Sequence, residues 1–424
     1  MKTRRFILTT TILTLLIAAP LLLGGLILPA QYQDTFMGEL PYKFSRLADA
    51  PGKRIIVIGG SGMAFAADSS LIEQEFPDYT AVNMGMYADL GTRFLLDLTE
   101  NELREGDIVI FSPEQHPQTL SMYFGARSAL WGMDGAWSML TRVRREDWGT
   151  LIGALPDFSL EKFRFMLTGK HPEGEGIYKR DSFNEYGDIE SPLAAENIMP
   201  GYVDPSVTVS YDPSVLEEAF LARLNEYAAR ARKKGAEVYW YFCPADRLAV
   251  DAAASPEDFY EYLYEALDFP ILGDPRNAVM DEAWFFDTDF HLNGSGRTVF
   301  TVQLIRDLKA HLGISTPTDI ALPAPPALPA SGGSVLTADT WSGDTEVQEI
   351  TVPADVVRIE DYAFSGCTNL RAIRLLSHEP SRVLVGEHLL DGCGAYLLVP
   401  EGTLSAYRTD YRFSRYSDRI REST

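Results

Sequence analysis

Four short, continuously apolar runs, set between stretches of helical periodicity, constrain this chain more than any other feature. "RIIVIGG" (54–60), "TAVNMG" (80–85), "DIVIFSP" (107–113) and "AEVYWYFCP" (236–244) read as strands. "AFAADSSLIEQEF", "GTRFLLDLTENEL" and "PSVLEEAFLARLNEYAARARKKG" carry apolar residues at helical spacing between them. A strand that is apolar throughout is buried on both faces, and alternation with helices predicts an α/β fold around a parallel sheet. Residues 120–210 break the rhythm and are rich in Trp, Tyr, Phe, Gly and Pro. They read as an insertion over one sheet edge, in the position of a substrate lid.

A chain of 424 residues exceeds one ordinary domain. Lys2, Arg4 and Arg5 precede an uncharged apolar run from Phe6 to about Leu28, long enough to cross a bilayer core of about 30 Å. Residues 1–30 therefore read as a cytoplasmic tip and transmembrane signal anchor, with the bulk outside the cell. A cleaved signal peptide competes, with "LPA" before Gln31 as its cleavage site, but the run exceeds the usual signal-peptide core. No second such run exists, which excludes a transporter. The net charge of −23 excludes nucleic acid as a partner and disfavours lying flat on an anionic lipid surface. Three cysteines, Cys243, Cys367 and Cys393, make no disulfide framework and no CxxC pair.

Residues 31–314 form the main domain in this reading, and "STPTDIALPAPPALPASGGS" (315–334) is a Pro-rich spacer with a Ser-Gly-Gly hinge. Beyond it, "AFSGC" ending at Cys367 and "HLLDGC" ending at Cys393 recur at 26 residues (393 − 367). "ITVPADVVRIEDYAFSGCTNLRAIRL" resembles the leucine-rich repeat of bacterial BspA-type surface proteins, and "LLVPEGTLSAYRTDYRFSRYSDRI" resembles the closing segment of such arrays. The resemblance implies that residues 335–424 are a small repeat module with Cys367 and Cys393 as packed positions. It also implies a protein or glycan ligand for the module. Two repeats are few for a self-supporting solenoid.

The sharpest local signal is "VIGGSGMAFAADS" (57–69). A strand ending in Gly59-Gly60, followed by Ser61 at a helix start, presents a side chain at the carboxyl edge of the sheet, where open α/β folds place their sites. Unpaired N–H groups at a helix start favour developing negative charge, so a serine there is placed to attack a carbonyl. The stretch departs from G-x-S-x-G at Met63, from G-x-G-x-x-G at Phe65, and lacks the Gly-Lys-Ser/Thr of a P-loop. The bland alternative is a glycine turn with Ser61 as a helix N-cap. Gly85 and the Glu114, Gln115 and Gln118 of "FSPEQHPQ" fall at the next two strand ends, in register with Ser61. Taken singly, Gly85 is a turn glycine and Glu114 a solvated carboxylate.

With these blocks in view, residues 54 to about 312 resemble the SGNH (GDSL-like) hydrolase superfamily. The nearest likeness is to its membrane-anchored members that handle acyl groups on cell-envelope polymers. The resemblance implies a three-layer, flavodoxin-like parallel sheet and a nucleophile at Ser61. It implies oxyanion donors from the N–H groups of Ser61 and Gly85, and a base at His291 of "DTDFHLNGSGR". Asp287 matches the "DT" of envelope-type members as the orienting acid, and Asp289 is the alternative. The family's third-block Asn is absent, leaving Gln115 or Gln118 as substitutes.

The implied activity is an esterase or O-acyltransferase on acyl esters of cell-envelope polysaccharide or teichoic acid. The competing class is a catalytically inactive surface protein that binds an envelope glycan or protein partner. His116 is the one serious rival to His291, since His171, His311, His378 and His388 sit in the insertion, the last helix of the main domain and the repeat module. No cofactor is expected, and no His/Asp/Glu set has metal-ligand spacing. Asn293 and Arg297 read as braces of the loop. Trp131, Trp137 and Trp148 read as aromatic core of the insertion rather than a sugar platform.

Overall fold

The computed structural model describes residues 4–6, 9–10, 19, 23–172, 174, 176–190, 194, 209–251, 255–324 and most of 334–423. The described residues divide into two compact units, one of residues up to 324 and one of residues from 334 on.

In the first unit, α1 (Leu40–Asp49) leads into β1 (Lys53–Ile58), α2 (Ser61–Ala66), α3 (Ser69–Glu75), β2 (Tyr79–Asn83), α4 (Thr92–Glu100) and β3 (Ile108–Phe111). Then follow α5 (Ala126–Gly132), α6 (Trp148–Thr168), α7 (Glu218–Lys233), β4 (Glu237–Trp240), β5 (Ala245–Asp246), α8 (Pro256–Ala266), β6 (Val279–Met280) and α9 (Gly294–Leu312). The four main strands are parallel in the order β2-β1-β3-β4. Ile55 to Ile58 and Ile108 to Phe111 are buried, as an apolar strand covered on both faces requires. The order reverses between β1 and β3, so the crevice past their carboxyl ends is the topological switch point.

Two readings change in detail. The single helix expected after β1 is two, broken at Ala67 and Asp68, because the Asp68 side chain accepts the Leu71 N–H at 3.3 Å and opens a new helix. The insertion is partly helical, and its residues 186–188 cover the end of edge strand β2, where the Asn83 N–H donates to the Tyr186 carbonyl at 3.3 Å. Trp131 stacks on Tyr32 and Trp137 meets Phe158 edge-on, so these rings pack the insertion. Most of the apolar run 6–28 lies outside the described residues. Among the described residues no helix is long and apolar enough to cross a membrane.

The second unit holds β7 (Ser334–Leu336), β8 (Glu349–Val352), β9 (Val356–Ile359), β10 (Ala372–Leu375), β11 (Leu384–Val385), β12 (Tyr396–Val399), α10 (Leu404–Thr409) and β13 (Ile420–Glu422). One parallel sheet runs β13-β12-β10-β8 and another β11-β9-β7. Ala372 pairs with Glu349 and Tyr396, offsets of 23 and 24 residues (372 − 349 and 396 − 372). Four strands stack in one sheet where the cysteine spacing marked only two repeats. Ile350, Ile373, Leu397 and Ile420 are all buried, one from each rung. Cys367 and Cys393 are buried free thiols, and the Cys367 thiol donates to the Trp341 carbonyl at 3.1 Å.

Candidate active site

Ser61 is the first residue of α2, and the N-cap position belongs to Gly60. The hydroxyl is therefore not spent on capping. Ser61 Oγ lies 2.8 Å from His291 Nε2. The other ring nitrogen, Nδ1, lies 2.8 Å from Asp287 Oδ1. The opening of the sheet and the last loop before α9, 230 positions apart in sequence, thus meet at one edge of the sheet.

Local chemistry explains the loop. The Thr288 carbonyl and hydroxyl both accept the His291 N–H, at 3.3 and 3.1 Å, which closes a turn and brings Asp287 back over the ring. Asn293 caps α9 through the Gly296 N–H at 2.9 Å, and its amide donates to the Ala283 and Phe285 carbonyls. Phe65, from α2, stacks on the imidazole with centroids 4.0 Å apart and planes within 5°. The ring is thus held in its plane from one side and along its edge from the other.

The insertion adds a fourth member that sequence reasoning missed. Tyr178 donates its hydroxyl to Asp287 Oδ2, and the Tyr178 hydroxyl oxygen lies 3.2 Å from His291 Nδ1. Asp287 accepts from both sides, which fixes the tautomer that leaves Nε2 free to accept the serine proton. Nothing in the sequence distinguishes this tyrosine from the other nineteen of twenty.

Other expected residues take different places. The Gly85 N–H donates to Asn83 Oδ1 at 2.8 Å, so it is not a free oxyanion donor. Glycine is required there for another reason. A Cβ would sit 2.5 Å from the Ala64 amide nitrogen, so the bare backbone lets the strand end press against α2. Gln118 turns to Asp89 at 3.4 Å, beside Tyr123 and Ser128, which also bond that carboxylate. Gln115 is fully buried, and neither polar atom of its side chain has a hydrogen-bond partner among the described residues. Asp289 is buried with its carbonyl accepting the Asp246 N–H; it is Asp287 that meets Nδ1. His116 accepts the Gln118 N–H on Nδ1 at 3.3 Å, and burial lowers its pKa.

Glu114 departs furthest from expectation. Instead of a solvated carboxylate it is buried, 3% exposed, and accepts the Gly60 N–H at 3.1 Å and the Gly62 N–H at 2.8 Å. These amides flank Ser61, so one side chain grips the Ser61 turn on both sides. A Cβ at Gly60 would come 2.2 Å from the carboxylate oxygens, which explains the glycine. Burial raises the Glu114 pKa, opposed by the Gly62 N–H, its own amide, His291 and the Gly60 N–H. Cys243 lies beneath the same turn, and burial pushes its thiol pKa well up, which removes it as a nucleophile.

Behind this turn, Asn83 donates to the Met63 carbonyl at 3.0 Å and to Asp188 at 2.8 Å. Asp188 also accepts from the Ser69 amide and hydroxyl, tying α2, α3, β2 and the insertion together. A cleft of about 310 Å³ is lined by Phe65, Ile189, Leu292, Asn293 and Arg297 among others, and none of Ser61, Asp287 and His291 lines it. No group of metal-ligating side chains occurs among the described residues. No protein-family model matches the chain, and no curated protein does either.

Proposed function

We propose that this protein is an extracytoplasmic serine esterase or O-acyltransferase of SGNH type, acting on acyl esters of cell-envelope polysaccharide or teichoic acid. The observation that carries the proposal is the continuous relay from Ser61 Oγ through His291 to Asp287, with 2.8 Å at each step. His291 takes the serine proton, Ser61 attacks the ester carbonyl, and Asp287 stabilises the imidazolium. The alcohol leaves with the proton from His291. Water or a polymer hydroxyl, deprotonated by the same imidazole, then takes the acyl group from Ser61. The Ser61 N–H, at the start of α2, is the oxyanion donor in this scheme. The envelope setting rests on the sequence of residues 1–30, read as a signal anchor, and on the likeness of residues 335–424 to surface-protein repeats.

A second reading, a catalytically inactive binder of an envelope glycan or protein, is favoured by one observation. The Gly85 N–H is engaged by Asn83, and Glu114 occupies the amides on either side of Ser61, which thins the supply of oxyanion donors. A serine-reactive fluorophosphonate separates the two. Labelling of the parent protein, lost in Ser61→Ala, supports the enzyme, and an unlabelled parent supports the binder. Acetylated glycans offered with and without sugar acceptors then distinguish transfer from hydrolysis.

A further inference from the structure

Helix α6 carries two apolar faces, and the fold buries only one of them fully. Leu151, Leu155, Phe158 and the stem of Lys162 are buried against the first unit. On the adjoining sector, Ile152 is 47% exposed, Leu160 53% and Leu167 81%. At 3.6 residues per turn, Ile152, Pro156, Leu160, Phe163 and Leu167 share a stripe about 100° wide. Asp157, Glu161 and Arg164 fall outside it. The stripe contains no charge along its whole length.

What lies beside this stripe identifies its partner. The end of the apolar run 6–28 is clasped to α6. The Gly25 N–H donates to Ser159 Oγ at 2.8 Å, and Lys162 Nζ donates to the Gly25 and Leu28 carbonyls at 2.9 and 3.1 Å. The Lys162 ammonium is itself buried against Asp134, whose other oxygen accepts the Gln31 N–H at 2.7 Å. Gly24 and Gly25 lie so close to Phe163 and Phe158 that a Cβ would come within 2.6 and 2.5 Å of those rings. Leu23 and Ile27, one helical turn apart, remain 50% and 77% exposed on the clasped segment. The point where the longest uncharged apolar run leaves the folded unit thus coincides with the uncharged stripe of α6.

We propose that α6 lies in the headgroup–acyl boundary of a phospholipid bilayer, with Ile152, Leu160 and Leu167 inserted alongside Leu23 and Ile27. The surface is a second membrane contact that fixes the orientation of the catalytic unit on its anchor. Because the stripe is uncharged, insertion is driven by apolar burial rather than attraction to anionic lipid. This placement rests on the reading of residues 6–28 as a membrane anchor and is independent of the serine chemistry.

The test uses the full chain reconstituted in phosphatidylcholine vesicles. Ile152→Cys, Leu160→Cys and Leu167→Cys are labelled with an environment-sensitive fluorophore, and Tyr264→Cys, on α8 and 71% exposed, is the aqueous control. The three native cysteines are buried and stay unlabelled in the folded protein. Lipids brominated near the headgroup should quench the three α6 labels at least about twofold and leave the α8 label unaffected, with aqueous iodide giving the reverse pattern. Iodide quenching of all four labels, in protein that still floats with the vesicles, overturns the placement. Protection of α6 from both quenchers also overturns it, since protein then covers the stripe. Chain that fails to float refutes the anchor, and with it the membrane contact.

Discussion

Replacing Tyr178 by Phe removes one oxygen and leaves the ring that packs on Phe36 and Phe65. The lost contact is a hydrogen bond from a phenol to the Asp287 carboxylate, whose side chain is 12% exposed. Hydrogen bonds to charged groups contribute about 1.5–3 kcal/mol. Water reaches this carboxylate in part, so the lower half of that range applies. At about 1.4 kcal/mol per decade, the proton relay should slow roughly 12- to 40-fold. The assay is the second-order rate constant of Ser61 labelling by fluorophosphonate, with near-ultraviolet circular dichroism to establish that the fold is intact. Positioning of Asp287 predicts a slowed reaction and an unchanged spectrum. A folded variant that labels within about twofold of the parent, a difference of only about 0.4 kcal/mol, refutes the assignment of Tyr178 to the relay.

Three further outcomes follow from the same geometry. Asp287→Asn should lower the labelling rate by up to about 10⁴-fold, because an amide facing Nδ1 stabilises the wrong tautomer; an unchanged rate shows that another acid orients the ring. Glu114→Gln should cost about 1–3 kcal/mol in urea unfolding, since the new amide leaves one buried Gly60 or Gly62 N–H without an acceptor. Equal stability indicates that the carboxyl is neutral and not a clamp. Burial, then Glu282 and Asp281, push Asp246 up to about 6 from 3.8, so the folded state holds its proton more tightly than the unfolded chain. Its contribution is present below about pH 4 and lost as pH rises through about 6. Asp246→Asn should match the parent at about pH 3 and exceed it by about 3 kcal/mol at pH 7, measured by urea unfolding.

Sequence reading reached the parallel sheet because strands buried on both faces must be apolar throughout, a pattern local to each run. It singled out Ser61, Asp287 and His291, whose side chains the fold brings together, because a glycine-flanked serine after a strand and an acid–histidine loop before a helix are each written in a few adjacent residues. It misjudged Glu114 and Gly85 because their roles depend on what faces them across the fold. A carboxylate after β3 reads as solvated until α2 is laid over it. A glycine after β2 reads as a donor until Asn83 is seen to take its N–H. Tyr178 and Asp188 carry no local signal at all. Both lie in the insertion and act only because that segment returns over the end of β2.

Residue order alone settled what each short segment can become, since strand burial, helix starts and turns follow from side chains within a few positions of one another. Which polar groups meet was decided only by tertiary structure, because a hydrogen bond depends on approach to about 3 Å between segments up to 230 positions apart. The Ser61–His291–Asp287 hydrogen bonds, the grip on the Ser61 turn and the uncharged stripe on α6 are all consequences of that second kind.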